Sequence, residues 1–259
     1  SIYNENFGYF NDPAKEFVAV FFMLMAATNF GLHFLSFTKR SFKYYLANDE
    51  LKLFLTIIFV VVLVSALTLY VKEEFSIKDS IRYGFFQSIS IVTTTGYTLE
   101  PLSGLGGTIG FLIFILAFIG ACSGSVGGGM KVWRVLLMIK VGFSNITKII
   151  HPSAISSVKL NGEKVVSSQI EAVFSFIAIY ISFFLLFMFI LIFQNVDFYT
   201  AFSGTAAAIN NLGPGLGSFS ENYSSLSDVG KLTLTMAMIV GRLELFGVLI
   251  LFVPSFWRS

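Results

Sequence analysis

Residues 77–97, IKDSIRYGFFQSISIVTTTGY, and residues 196–215, VDFYTAFSGTAAAINNLGPG, decide how this chain folds. Each carries an aspartate near its start (Asp79, Asp197), continues for about four helical turns of small and apolar residues, and ends in glycine and threonine or asparagine. Aspartate is a good amino-terminal helix cap, and glycine ends a helix readily. Neither stretch is long enough to cross a bilayer and come back as helix. The pattern predicts a half-helix that dips into a membrane and returns as an extended strand; the plainer alternative is a pair of outer loops. Non-helical backbone at membrane depth survives only where protein buries it or where it lines a water-filled cavity.

The composition makes a membrane the expected solvent. The 259 residues are 55% hydrophobic and 17% aromatic but only 12% charged, with a mean hydropathy of +0.79. A soluble domain carries about twice that charge, so soluble enzymes are excluded. The net charge of +2 discriminates little, and nothing points to nucleic acid. The lone Cys122 excludes an intrachain disulfide and any multi-cysteine metal site. The chain opens on Ser1, not methionine, and 1–12 is polar and acidic with no cleavable signal, which reads as a fragment.

Five stretches read as spans: Pro13 to Phe37, Leu53 to Val71, Gly107 to about Val141, Ser168 to Phe193 and Val229 to Phe256. Lys39, Arg40, Lys43 and Lys52 separate the first two. Lys131, Arg134, Lys140, Lys148, Lys159 and Lys164 lie between the third and fourth. The positive-inside rule places both loops in the cytoplasm, and with them the carboxy terminus at Arg258. The two half-helices then lie on the outer side. The order of span, Asp-led half-helix, glycine turn, span and basic loop occurs twice, after the closing half of another copy. We therefore divide the chain into 1–40 (end of a preceding repeat), 41–150 and 151–259 (complete repeats). The expected fold class is an all-α polytopic membrane protein. Its repeat unit is outer helix, re-entrant pore half-helix with filter turn, and inner helix, arranged as a pseudo-fourfold pore.

The two turns, Thr93-Thr94-Thr95-Gly96 and Asn210-Asn211-Leu212-Gly213, are candidate ion-binding filters. An ion leaving water needs oxygens in place of its hydration shell, and a strand whose carbonyls face one way supplies them without net charge. Threonine favours extended backbone, and Pro214 biases Gly213 the same way. The carboxyl ends of two half-helices aimed at one centre favour a cation.

These residues resemble the Trk/Ktr/HKT superfamily of potassium transporters, and most closely its TrkH-type membrane subunit. The resemblance rests on Thr93 to Tyr97, on GACSGSVGGGMK at 120–131, on His151-Pro152 with VKLNG at 158–162, on NLGPGLG at 211–217, and on GRLE at 241–244 followed by FWR at 256–258. It covers nearly the whole chain. Members of that family carry four such repeats, so the resemblance implies a carboxy-terminal half that begins after the second filter turn. It places Gly96 and Gly213 on filter glycines, with potassium as permeant and no organic cofactor. It further implies the cell (inner) membrane, a homodimer of the full-length protein, and a cytosolic nucleotide-binding ring subunit as regulator. Two departures stand out: the first two filter turns are absent, and Tyr97 replaces a common phenylalanine.

The glycine run Gly120, Gly124, Gly127, Gly128, Gly129 should unwind the third span, since each glycine costs about 1 kcal/mol against alanine in a helix. Two readings compete: an exit loop at the inner surface, or a flexible gate lodged beneath the filter, its role in the resembled family. Arg242, read as midway along the last span, is either one half of an interhelical ion pair or a donor to the carbonyls of Gly127 to Gly129. Glu244 points to another helix face and is a poor partner for it. Glu100 is either a solvated carboxylate or a concentrator of cations at the mouth.

Enzyme readings of the run fail. Gly124 to Lys131 approximates a phosphate loop, but its lysine is displaced by one and the hydroxyl residue is missing. Ser123 as a nucleophile needs a histidine base within reach, and His33 and His151 are remote in the topology. No enzymatic activity is expected. The functional expectation is potassium uptake by channel-like permeation through a carbonyl filter with a glycine-rich gate. The alternatives are a non-conducting scaffold or receptor and an ion-coupled secondary transporter, though this half offers no intramembrane aspartate as a relay.

Overall fold

The computed structural model describes residues 6–72, 75–99, 107–152, 157–220, 222–243, 245–251 and 253–258. Among the described residues the regular structure is helical except for one short antiparallel hairpin, β1 (Lys159–Leu160) with β2 (Glu163–Lys164). Among the described residues, two helices are individually long and apolar enough to cross a membrane, α4 (Asp49–Lys72) and α8 (Ser167–Phe193). Both are apolar on every face. Phe59, Leu63 and Leu67 of α4 and Leu186, Phe189 and Phe193 of α8 are exposed, as lipid-facing residues must be.

Polarity is reversed in the two half-helices, α5 (Ile77–Val92) and α9 (Phe198–Ile209). α9 is built mostly from small and hydroxylated residues and α5 mixes serines with larger apolar ones, yet the carboxyl halves of both are deeply buried: Gln87, Ser88, Ser90, Ser203 and Thr205 are at most 1% exposed. Small side chains let each half-helix sit inside a sleeve of longer ones. Ser88 Oγ donates to Ser65 Oγ of α4 at 2.9 Å, and Ser203 Oγ accepts from the Leu216 amide at 2.9 Å. Those bonds replace water for backbone and hydroxyl groups that a bilayer would leave unpaired.

The amino ends of the half-helices are capped in different ways. Asp197 is the cap of α9, accepting from the Thr200 amide at 2.9 Å, as expected. Asp79 is not a cap. Ser76 caps α5, and Asp79 sits one turn in, its amide held by Ser76 Oγ and its carboxylate accepting from the same hydroxyl at 2.7 Å. Serine three residues before an acid is a capping box, a pattern that starts α5 one turn earlier than an aspartate cap would.

Three of the five expected spans are interrupted. The first is two helices, α1 (Pro13–Ala27) and α2 (Phe30–Lys39), bent by 95°. Thr28 turns extended and Asn29 caps α2, its Oδ1 accepting from the Gly31 amide at 2.7 Å. The third span stops after ten residues, α6 (Gly107–Leu116), and helix resumes only at α7 (Val132–Ile150). Unwinding therefore begins before the glycine run, through i to i−3 turns at Ala117, Phe118 and Ile119. The last span is α10 (Asp228–Arg242) and α11 (Leu245–Leu251), bent by 106°; position 244 at the break lies outside the described residues, and so does Glu100. A short α3 (Lys43–Ala47) joins α2 to α4.

A buried ion pair ties α5 to α1. Arg82 Nε donates to Glu16 Oε2 at 2.8 Å and Nη2 to Glu16 Oε1 at 2.5 Å, with Asn11 Oδ1 2.9 Å from the same Nη2. The Glu16 side chain is 6% exposed, so neutralising it strands a guanidinium among apolar neighbours. Glu16→Gln should lower unfolding stability in detergent by about 3 kcal/mol, read as a fall in the thermal midpoint; a change below about 0.5 kcal/mol would contradict the pairing. A second prediction concerns Asp197, whose bond from the Thr200 amide depresses its carboxyl below the ordinary value. Its contribution is then complete above about pH 4 and lost as pH falls through the lowered folded value. Asp197→Asn, which keeps the cap but cannot titrate, should flatten the acid limb of the stability profile; an unchanged limb would count against this cap.

Candidate functional site

The two turns have the same backbone, residue for residue. Thr94 and Asn211, 117 residues apart, both occupy the left-handed region at φ 56° and 54°; Gly96 and Gly213, at the same separation, follow at φ 82° and 106°. Thr95 and Leu212 between them lie outside that region. The hydrogen bonds correspond as well. Thr93 and Asn210 amides donate to Ile89 and Ala206 carbonyls, Thr94 and Asn211 to Ile91 and Ala208, and Thr95 and Leu212 to Ser90 and Ala207, the last pair both at 2.8 Å. Alternating φ signs turn successive carbonyls towards one side of the strand. A β-branched residue such as Thr94 reaches the left-handed region only at a cost of about 1–3 kcal/mol, which its surroundings must offset.

The turns also touch each other. A Cβ at Gly96 would lie 1.9 Å from the Leu212 carbonyl oxygen, so the first turn reaches the second only because residue 96 has no side chain. Around them stand supports that the sequence analysis did not identify. Tyr180 Oη of α8 donates to Asn210 Oδ1 at 2.7 Å, and Tyr223 Oη donates to the Gly213 carbonyl at 2.8 Å. The Asn211 side chain reaches the Met238 carbonyl of α10 at 3.3 Å. Neither tyrosine stands out among 31 phenylalanines and 10 tyrosines, so no sequence signal marks them.

Directly against the turns lies the non-helical stretch 117–131. The Gly128 amide donates to Thr94 Oγ1 at 2.6 Å, and a Cβ on Gly128 would stand 1.9 Å from the Asn210 carbonyl oxygen. A Cβ on Gly127 would come within 2.9 Å of the Thr93 carbonyl oxygen. The loop thus contacts both turns at once. Its outer flank is stitched to the broken end of α1, whose Ala27 and Ala26 carbonyls accept from Cys122 and Val126 amides at 3.0 and 3.2 Å. The Gly124 carbonyl in turn accepts from the Phe30 amide at 3.0 Å. Two interruptions expected to be separate spans therefore satisfy each other.

Arg242 ends α10, at the bend between the two helices of the last span. Its Nη1 donates to the Val126 carbonyl at 3.1 Å, one residue before the expected Gly127 to Gly129. The Gly127 carbonyl is taken by Lys131 Nζ, a donor from the loop's own end that sequence reasoning assigned only to topology. Arg134 lies over the Phe176 ring at 3.8 Å. Together these cations border a cavity of about 300 Å³ that Gly127 to Gly129, Tyr180 and Asn211 also line. His33 is occupied by Tyr45 Oη at 2.7 Å and the Met25 carbonyl at 2.9 Å, and His151 caps the end of α7. Among the described residues, neither has a contact with Ser123.

A family model described as a cation transport protein, TrkH, matches residues 1–259. The Trk system potassium uptake protein TrkH of Halomonas elongata is 36% identical over 259 residues, and that of Escherichia coli 37% over 260 residues; each match covers 100% of this chain. The crystal structure of the potassium transporter TrkH from Vibrio parahaemolyticus superposes with a TM-score of 0.93 at 36% identity, covering 100% of this chain and 56% of that one. The chain spans about half the length of these relatives, 54% in the two sequence matches.

The contact between loop and turn can be tested without reference to transport. Thr94→Val removes the acceptor of the Gly128 amide and keeps the shape of the side chain. Hydrogen exchange of amides in 120–131 should then speed up by about tenfold while α9 remains protected; unchanged exchange would contradict the bond.

Proposed function

We propose a function from one premise: the chain belongs to the TrkH family of cation transport proteins. On that premise the chain supplies two pore repeats, 41–150 and 151–259, behind the end of another at 1–40, and the complete protein closes a pseudo-fourfold pore in the cytoplasmic membrane. That protein takes up potassium by permeation down its electrochemical gradient. Carbonyl oxygens of Thr93 to Gly96 and Asn210 to Gly213 replace water around the ion. The observation that carries this reading is the shared alternation of φ in the two turns, which lines up carbonyls where two half-helices present their negative ends. With one glycine in each turn, few complete ion sites form, and selectivity against sodium is modest.

The loop 117–131 is the gate in this reading. Its contacts with Thr93, Thr94 and Asn210 support a position across the path of an ion leaving the filter. Arg242, Lys131 and Arg134 add a positive barrier beneath it. The basic loops and the carboxy terminus face the cytoplasm, where a nucleotide-binding ring subunit acts on the gate. The full-length protein is a homodimer.

The decisive comparison is rubidium against sodium flux through the full-length protein in liposomes. Gly96→Ala and Gly213→Ala should each cut rubidium flux by about tenfold or more, Gly96→Ala the more severely because its Cβ meets the Leu212 carbonyl. Equal flux in wild type and both variants would defeat the filter assignment. Arg242→Ala should raise flux of both ions, and unchanged flux in a folded protein would reject the barrier.

A further inference from the structure

One buried carboxylate is unused by the reading above. Glu50 lies in the first turn of α4 and is 6% exposed. A buried carboxylate is expensive unless hydrogen-bonded, and this one is spent on the loop. Its Oε1 accepts from the Ser123 amide at 2.5 Å and from the Trp133 amide at 3.0 Å. Those two amides flank the run Gly124 to Gly129. The second bond has a further role: α7 begins at a Lys131 that provides no side-chain cap, so a carboxylate 83 residues away caps it instead. The two amides and the nearby Lys131 ammonium offset only part of the cost of keeping that charge inside.

The helix start that presents Glu50 is itself held. Asn48 Oδ1 accepts from the Leu51 amide at 2.8 Å. Asp49 binds Lys140 Nζ of α7 at 2.7 Å and the Asn161 amide at 3.2 Å, while its own amide donates to Asn161 Oδ1 at 2.8 Å. Asn161 is the turn of the β1–β2 hairpin. The hairpin is therefore fastened to the residue next to Glu50.

We infer that Glu50 is a positioning residue for the glycine loop: one carboxylate oxygen clamps both flanks of the run and holds it under the two turns, with Asp49 linking that clamp to the cytoplasmic hairpin. The consequence for flux rests on the loop being the gate, whereas the clamp itself does not. Cys122, next to Ser123 and 1% exposed, is a built-in reporter. In the full-length protein, with any cysteine outside this chain replaced by serine, a methanethiosulfonate reagent should modify it slowly. Glu50→Ala deletes two charge-assisted bonds and should speed modification by about 10–100-fold. Glu50→Gln keeps an accepting oxygen without the charge and should give about 3–10-fold; it decides the matter if the alanine variant does not fold. Ser227→Ala, which removes the amino-terminal cap of α10 fifteen residues from its contact with the loop, should leave the rate unchanged.

Wild-type labelling in Glu50→Ala overturns the clamp whatever the flux. Equal acceleration by Ser227→Ala also overturns it, because the effect would then be general loosening. Faster labelling with higher rubidium flux supports both clamp and gate. Faster labelling with unchanged flux leaves the clamp standing and refutes the gate.

Discussion

Backbone amides and carbonyls shut away from water need partners within the protein, and this fold is organised around three stretches that leave the helical state: 93–97, 210–215 and 117–131. Each satisfies another. The loop donates its Gly128 amide to Thr94, packs its glycines on the Thr93 and Asn210 carbonyls, and takes further partners from the end of α1, from Phe30, Glu50 and Arg242, and from its own backbone. Hydroxyls such as Thr94 Oγ1 and Ser203 Oγ serve amides that backbone carbonyls leave over. Long apolar helices such as α4 and α8 then form the lipid-facing sleeve around an interior in which hydroxyl and amide side chains such as Gln87, Ser88, Ser203 and Thr205 are buried among apolar ones.

The same constraint connects structure to transport. Carbonyls that are turned away from their own helices must be either buried or offered to an ion, and the two turns present equivalent rows of them. A glycine loop in contact with both rows can occlude them without a bulky side chain, because small changes in its backbone alter contacts to both turns together. That arrangement also explains the absence of Cβ atoms at 96 and 128, where the neighbouring carbonyl would be less than 2 Å away.

Much of this was legible in the residues. The half-helices, the turns and the 117-residue repeat of glycine at 96 and 213 follow from local pattern, since capping, small side chains and glycine act within a few positions. The bends were not. Residues 13–37 read as one apolar span because hydropathy is blind to a break that depends on Asn29 and on Gly124, almost a hundred positions later. The early end of α6 at Leu116 is likewise imposed by what the loop must reach. Asp79 was misplaced as a cap because Ser76, three residues ahead, starts the helix one turn earlier and takes the Asp79 amide itself. Glu50 was not singled out at all, because its partners at 123 and 133 are long-range. Local signals locate the elements; the contacts that break and clamp them belong to the packed whole.

The central claim is that a monovalent cation sits among the carbonyls of the two turns. Anomalous diffraction from crystals of the full-length protein soaked in rubidium or thallium(I) tests it most directly. The account predicts an anomalous peak bounded by the carbonyl oxygens of Thr93 to Gly96 and Asn210 to Gly213, on the outer side of Gly128. Occupied cation density confined to carboxylates elsewhere, with the space between the turns empty, would contradict it.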